Sequence, residues 1–600
     1  MRRHNLCCLF TTLFTLIAFV SSASAATITV NTNDDAFIAD GNCSIREAFA
    51  SANQDFGFDA CTAGNGDDVI ELLGGQIDLE VCPMAASETA DVSDDSSPSP
   101  YSPNICGDLV LTDNTIVNGN GTIVNSNIPA RVLRIDTGAL MPTAQTENAD
   151  IPEDDFNCQA PIAVTLNNFT IQNGKNVCEG AGIANYSAEL TLNDMNVIDN
   201  SVNSYYCRGG GIYSLWDLTA NNSNISGNGG YHAYGGGIYI EAEEYCINDR
   251  IKDGALAAGV SSVDPIFVKL TLNNTDVDNN CLEGSGDLEM ASTSNESSYD
   301  SCAYGGGIYA HGANASITNG SSVSGNEALY SGAGIEFYYG NLTIDGSNVD
   351  KNTVGRSYYY GSGAGISYYG YGEGEFYDRM RTCDGDDEFT PEANLEVGPL
   401  PERKLVINNS TVNANSAQDR AGAIEAGMGD LEINNSTIDN NTAGYNTGGI
   451  QFEGTFDNCT GEFVGRFSLI GSTVSNNQSP FDGGISNSGG LFSCENSTIS
   501  TNTALLSGGG GYSQGAGLRI RRAAEGLQEA TGDPDAKAKL SLGQIIEDDI
   551  FNPADFADVV FATFNNCTVY NNSVETVDMV ESPIMMTMMM AVTRVTSLIV

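Results

Sequence analysis

Carboxylates are the most abundant reactive groups in this chain: 77 Asp and Glu stand against 24 Lys and Arg and three His, a formal net charge of −53. Two-carboxylate hydrolysis needs a pair of acids a few ångströms apart on neighbouring elements, so spacing decides whether they can work. Asp276, Asp278, Asp350 and Asp439 occupy variable positions of a repeated segment and would form an outward acidic strip if the segments stack. A lyase would instead need a desolvated Lys or Arg base beside calcium-binding carboxylates. Lys and Arg are scarce in the repeats. Of the histidines, His4 lies at the extreme N-terminus, and neither His232 nor His311 has a Ser or Cys partner in a triad pattern. There is no Cys-x-x-Cys pair with His partners, which removes the usual zinc signature. Cys383-Asp-Gly-Asp-Asp-Glu388 is acidic but lacks the spacing of an EF-hand loop. The residues therefore designate no catalytic, cofactor-binding or metal-binding set, and calcium is left open only by the acidic balance.

Aromatic side chains offer a different chemistry. Tyr213, Tyr239 and Tyr309 each follow Gly-Gly-Gly-Ile and share one register. If the Ile points inward, strand alternation turns the Tyr outward. Such a row predicts either a glycan-stacking ladder of exposed rings or a ring-on-ring stack that stiffens the coil edge.

The elements that would position these residues are repeats. Leu431-Glu-Ile-Asn-Asn-Ser-Thr-Ile-Asp-Asn-Asn441 has near copies ending at Asn200, Asn228, Asn280 and Asn415, and weaker ones ending at Asn326, Asn352, Asn477, Asn502 and Asn572. Between them sits Gly-Gly-Gly-Ile-Tyr, at 209–213, 235–239 and 305–309, with looser forms ending at Ile183, Ile335, Ile366, Ile424, Ile450, Ile485 and Leu518. Uninterrupted units recur about every 26–35 residues, a solenoid period. Within a unit the apolar residues alternate, pause at Asn-Ser/Thr and resume, which is strand periodicity with a bend. Gly and Asn supply the tight or left-handed conformations of corners. One coil cannot bury its few inward Leu, Ile and Val, whereas stacked coils can. The closing Asn of each unit would then lie above its counterparts and share amide hydrogen bonds. A leucine-rich repeat matches the length and the Leu-x-Leu start, but Gly-Gly-Gly-Ile-Tyr suits another strand and is hostile to helix. The expected fold is all-β, a right-handed parallel β-helix with an N-terminal capping helix and several loop insertions.

At 600 residues a single elongated domain suffices, because a solenoid grows by adding coils. The charge repels phosphates and anionic lipid, which argues against nucleic acid as a partner. Arg2 and Arg3 precede an apolar run at 9–20, and Ala23-Ser24-Ala25 offers a cleavage site, so residues 1–25 read as a secretory signal peptide. Cys7 and Cys8 of the 16 cysteines go with it; the rest, an even number in an exported chain, predict disulfides.

Residues 26–108 read as a cap and first strands, and 109–600 as the β-helix. In the cap, Ser44 followed by Glu47 is a capping box, and Ile45, Ala48, Phe49 and Ala52 share a helical face. This short helix would cover the open end of the solenoid. Cys43 and Cys61 bracket it and are the candidate disulfide. Insertions interrupt the coils at about 83–108, 140–160, 241–267, 282–301, 370–404, 453–466 and 519–561, the last with room for a helix or two. Near the end, 584–600 is apolar and Met-rich, but Arg594 interrupts it and it is short for a transmembrane span. The segment 593–600 reads as a further coil strand.

Cys43-Ser-Ile-Arg-Glu-Ala48, followed by Ala63-Gly-Asn-Gly-Asp-Asp-Val-Ile70, resembles the opening of bacterial exported proteins named for a Cys-Ser-Leu-Arg-Glu-Ala motif, with Ile45 in place of the usual Leu. The Gly-Gly-Gly-Ile and Asn-rich units are similar to the right-handed β-helices of that family and to the repeats of polymorphic outer-membrane proteins. The resemblance spans nearly the whole mature chain. It implies a secreted or cell-surface protein, non-enzymatic and adhesin-like, with glycans or host and cell-surface proteins as partners. It carries over no catalytic residue. The competing expectation is a polysaccharide lyase or hydrolase on the same scaffold: Asn274-Thr-Asp276, His311-Gly312 and Arg250-Ile-Lys252 resemble pieces of polygalacturonase motifs. Their order along the chain does not match that family, in which the Arg-x-Lys piece comes last.

Overall fold

The computed structural model describes residues 25–80, 107–137, 161–175, 177–203, 206–242, 268–281, 302–355, 361–370, 403–457, 462–506, 518–521, 539–541, 562–576 and 598–599. The segment expected to be a signal peptide lies outside them up to Ser24, as do Cys246, Cys383 and Cys459.

One repeat makes one coil. From Ile424 the chain forms four short strands, Ile424–Gly427, Asp430–Asn434, Thr437–Asp439 and Thr442–Ala443. Each pairs in parallel with its equivalent one coil away: Ile424 with Ile366 and Ile450, Leu431 with Leu405 and Phe467, Ile438 with Val412 and Val474. The product is a parallel β-helix. We call the faces after their sequence signatures: the glycine face (424–427 here), the leucine face (430–434) and the asparagine face (437–439).

Inward residues stack into columns, of which Ile183, Ile212, Ile238, Ile308, Ile335, Ile366, Ile424, Ile450 and Ile485 form one continuous, buried example. Burying each such side chain stabilises by about 1.5–3 kcal/mol, but only when the coils above and below close over it.

Asparagine organises the corner after the asparagine face. Asn200, Asn228, Asn280, Asn326, Asn352, Asn415, Asn441, Asn477, Asn502 and Asn572 form an unbroken ladder, each Nδ2 donating to the next Oδ1 at 2.9–3.2 Å. Every link is doubled: the Asn441 Oδ1 also accepts from the Asn415 backbone N–H, and the Asn441 Nδ2 also donates to the Val412 carbonyl. Buried amides are thereby fully satisfied, which is why the polar corner is affordable inside the fold. The hydroxyls of Asn-Asn-Ser/Thr build a second ladder, with backbone N–H groups of Ser347, Ser410, Ser436 and Ser472 donating to the next Ser Oγ at 3.0–3.1 Å.

The N-terminal helix is Ile45–Gln54, with the Ser44 and Glu47 capping box formed in both directions. It packs on the first strands and closes the end of the tube. Each residue of the Cys-Ser-Ile-Arg-Glu-Ala segment has a structural task. Cys43 is bonded to Cys61, Ser44 and Glu47 cap, and Ile45 and Ala48 are core. Arg46 makes a buried ion pair with Asp35 and donates to the Gly107 carbonyl at 2.9 Å.

Further disulfides join Cys178 to Cys207, Cys281 to Cys302 and Cys494 to Cys567. The Cys281 and Cys302 bond closes the insertion at 282–301, and the Cys494 and Cys567 bond lies inside the tube. Among the described residues no helix is long and apolar enough to cross a membrane.

One sequence expectation is revised, and two insertions gain detail. Leu598–Ile599 pairs antiparallel with Thr568–Tyr570, so it does not continue the parallel stack. Leu518–Arg521 is the next strand of the glycine face and pairs antiparallel with Lys539–Ser541 inside the expected last insertion. In the insertion at 453–466, Thr455–Asp457 and Glu462–Val464 form an antiparallel hairpin.

Candidate functional site

Chain length beyond the coil repeat enters next to one face. Long connections follow the glycine-face strands Leu133–Ile135, Ile238–Glu241, Ile366–Tyr369 and Leu518–Arg521, and others precede Leu109–Leu111, Ile308–Thr318 and Leu518–Arg521. The turns joining the leucine and asparagine faces stay short throughout the described residues. Loops carried on a rigid scaffold are where binding residues concentrate, so the outward side of the glycine face is the candidate site.

Its outward residues form two columns. In register, the first runs Tyr213, Tyr239, Tyr309, Glu336, Ser367, Glu425, Gln451; the second runs Glu241, His311, Tyr338, Tyr369, Gly427, Glu453. The tyrosine end is a continuous stack. Ring centroids are 5.5 Å apart for Tyr213 and Tyr239 and 5.0 Å, with rings within 2° of parallel, for Tyr239 and Tyr309. It extends to Tyr186 at one end and through Tyr338 to Tyr369 at the other. A second stack of Tyr206, Tyr234, Tyr304 and Tyr330 stands alongside.

These rings point outward yet are not open to solvent: Tyr213 and Tyr239 are only 3% and 4% exposed, and Tyr309 is half-buried. Their faces are taken by each other, which is the ring-on-ring stack of the two arrangements expected. Sugar stacking on Tyr213, Tyr239 and Tyr309 would require those faces to be uncovered. Alternation correctly gives the direction of a side chain but not what lies over it.

Charged groups are threaded between the rings. Arg208 sits 5.4 Å from the centre of the Tyr239 ring and donates to Glu241 at 3.3 Å, while the Tyr239 hydroxyl donates to Glu241 at 2.8 Å. Burial opposes the Arg208 charge, but Tyr239 and Glu241 outweigh it and hold the guanidinium protonated. Arg131 repeats the arrangement one end over, donating to Asp108 and the Tyr186 hydroxyl, which in turn donates to Glu179 at 2.7 Å. Burial raises the Tyr213, Tyr239, Tyr309 and Tyr338 phenols above their ordinary value, and that of Tyr304 to about 12.

Beyond the tyrosines the first column turns acidic, with the Arg420 charge acting on Glu425. Glu336 and Glu425 are fully buried, and burial pushes each carboxyl up to about 7. Ser331, Ser367 and Tyr338 lie beside Glu336, and Ser362 and Tyr369 beside Glu425, close enough to favour the charged forms. Even so, both Glu336 oxygens, the Ser367 Oγ, the Glu425 Oε2 and the Gln451 Oε1 are buried without a well-formed hydrogen bond. Gly332, with φ of +56°, makes room here: a Cβ on it would run into the Glu336 carboxylate.

No family model matches this chain, and no curated protein or solved structure matches it either.

The remaining sequence candidates lie apart from this row. Asn274 is a left-handed corner residue and Asp276 is on the asparagine face, away from His311, which lies 3.8 Å from Glu241 on the glycine face. Arg250 and Lys252 lie outside the described residues. Asp278, Asp350 and Asp439 do share a column, but Ser324 and Asn413 separate them. Each carboxylate is held by donors of the next coil: Ser324 N–H at 2.7 Å, Asn413 N–H at 3.0 Å and Ser475 hydroxyl at 2.6 Å. They are structural acceptors. Among the described residues, no three His, Cys, Asp or Glu side chains cluster as a metal set.

Glu336 and Glu425 were missed by the sequence reading, although a signal existed. In two of the looser units the register position after Ile carries Glu where the strict units carry Tyr.

Proposed function

We propose that this protein is exported to the cell surface or released, and acts there in adhesion or surface interaction without turning over its ligand. The supporting observation is the one-sided decoration: a rod whose added chain length enters beside the glycine face, along buried rows of tyrosine and glutamate. Such a scaffold presents loops along its length and leaves the remaining faces to stacking. Four disulfides among the described residues fit an oxidising compartment, consistent with export. The partner would be a glycan or a cell-surface protein; the net charge disfavours nucleic acid.

The alternative, a polysaccharide lyase or hydrolase, draws on Glu336 and Glu425. They lie two coils apart, roughly 10 Å between Cα atoms at the usual strand spacing, and two acids flanking a glycosidic bond is the hydrolase arrangement. Their burial works against it, since a substrate would have to displace the covering residues.

A glycan array combined with a reducing-sugar release assay on the mature chain separates these readings. Binding without sugar release is the expected result. Release above background would replace adhesion with catalysis, and neither binding nor release would leave only a structural spacer.

A further inference from the structure

The row Glu336, Ser367, Glu425 contradicts the rule the rest of the fold obeys. Elsewhere polar ladders satisfy themselves, as the asparagine corner does with two bonds per amide oxygen. Here carboxylate oxygens are buried without a well-formed hydrogen bond, although the Ser331, Ser367 and Tyr338 hydroxyls lie beside Glu336 and those of Ser362 and Tyr369 beside Glu425. Each is buried, so water cannot make up the deficit from bulk, and an unpaired buried carboxylate is among the most costly groups a protein can hold.

Glu336 has Tyr338 and Ser331 of its own coil and Ser367 of the next beside it, while Glu425 has Ser362 and Tyr369 of that same middle coil and Arg420 of its own. The two carboxylates thus flank the coil of Ser362 and Ser367 from either side. Ser331 and the phenols of Tyr338 and Tyr369 border the same space. The donor set is all oxygen: two carboxylates, three serine hydroxyls and two phenols. The glycine at position 332, with its left-handed backbone, leaves the Glu336 carboxylate free to take this position.

We propose that Glu336, Ser367 and Glu425, with Ser331 and Ser362, form a binding site for a calcium ion on the glycine face. Oxygen-only ligands select a hard cation, and two carboxylates neutralise its charge. Calcium takes six to eight oxygens in irregular geometry, which suits side chains drawn from three successive coils. Magnesium requires near-ideal octahedral geometry and keeps several waters, which an enclosed row does not supply. Bound there, the ion tethers three coils through side chains, adding to the backbone ladder. The site stands independently of what the glycine face adheres to.

Loss of the effect in a variant is the discriminating measurement, because this chain has many surface acids that bind calcium weakly. Calorimetric titration of the chelator-treated mature protein with calcium chloride at neutral pH should show one site tighter than that surface background. The midpoint of thermal unfolding at neutral pH should rise on the order of 5 °C at saturating calcium. Terbium, a calcium substitute, should emit when tyrosine is excited, with Tyr338 and Tyr369 as donors. All three effects should vanish in the E336Q/E425Q variant, whose neutral amides fit the same volume and keep the fold intact without an ion. Tight calcium binding, terbium emission and thermal shift unchanged in that variant would overturn the site. So would the absence of any calcium response, which would leave the two carboxyls simply protonated.

Discussion

Two polar rows run along this β-helix at different corners of the same coils, and they differ in what completes them. The asparagine row is closed: each amide both gives and takes, so ten successive residues satisfy one another without help. The Glu336 to Gln451 row is open: both Glu336 oxygens, the Ser367 Oγ, the Glu425 Oε2 and the Gln451 Oε1 are buried without a well-formed hydrogen bond. An amide carries its own donor and can stack on a copy of itself indefinitely. A carboxylate carries none and stacks only with a proton or a cation in between. The closed row therefore serves stability in every coil, whereas the open row occurs on one stretch, on the face beside the insertions, where a dependence on solution conditions can be tolerated.

Breaking the closed row should have the largest effect. Asn441→Ala removes the acceptor for the Asn415 backbone N–H and Nδ2 and the donor to Val412 and Asn477. Leaving several buried groups unpaired costs about 4 kcal/mol in total. Urea denaturation should report this loss, with hydrogen exchange rising first in the flanking coils. Asn434→Ala, which gives up a half-exposed bond to Asn408, should cost under about 1 kcal/mol. Equal losses at the two positions would mean that the ladder is not the organising element.

The open row should show itself as an inverted pH dependence when divalent cations are chelated. Glu336 and Glu425 have folded-state values near 7, against 4.5 for the ordinary carboxyl. Between those values the folded state keeps protons that the unfolded chain has lost. Stability from this pair is therefore complete below about pH 4.5, falls as pH rises toward 7, and stays at its lower level above. Each group contributes on the order of 3 kcal/mol. Chemical denaturation of wild type and E336Q/E425Q from pH 4.5 to 8 isolates the term as a difference, and parallel pH profiles would refute it.

Gly332 tests the geometry of the same row. Gly332→Ala places a methyl against Glu336 in a left-handed backbone, for which the expected loss is about 2 kcal/mol. Thermal unfolding measures it directly.

How much of this was legible in the sequence follows from the same contrast. A closed row repeats, and repetition is visible: the spacing from Asn200 to Asn572, the inward Ile column and the stacking of coils all stood in the chain as period and alternation. The capping box at Ser44 and Glu47 is local chemistry and was equally readable. The open row breaks the repeat, so Glu336 and Glu425 looked like imperfect copies of the tyrosine position. Their burial, like that of Tyr213 and Tyr239, depends on the residues standing alongside, among them Tyr234, Tyr304 and Tyr330, and alternation within one strand says nothing about a neighbouring column. The antiparallel pairing of Leu598–Ile599 was hidden for a related reason, since a strand-like pattern does not specify its partner.

The smallest effect asks how far the closed corner tolerates a poor residue. The position just before each ladder Asn is left-handed in coil after coil, with φ of 55° at Asp199, 67° at Gly227, 55° at Asn279 and 56° at Asn440. Gly, Asn and Asp accept that conformation readily. Thr501 adopts it too, at 56°, although a β-branched side chain is strained there. Its hydroxyl contacts the Ser500 carbonyl at 2.7 Å, which recovers only part of that cost. Thr501→Asn should therefore stabilise the C-terminal coils by about 1 kcal/mol, seen as a higher denaturant midpoint at unchanged slope. A loss of stability instead would mean that the Thr501 hydroxyl matters more than backbone strain, and that the corner's residue preference is set by side-chain bonds as well as by φ.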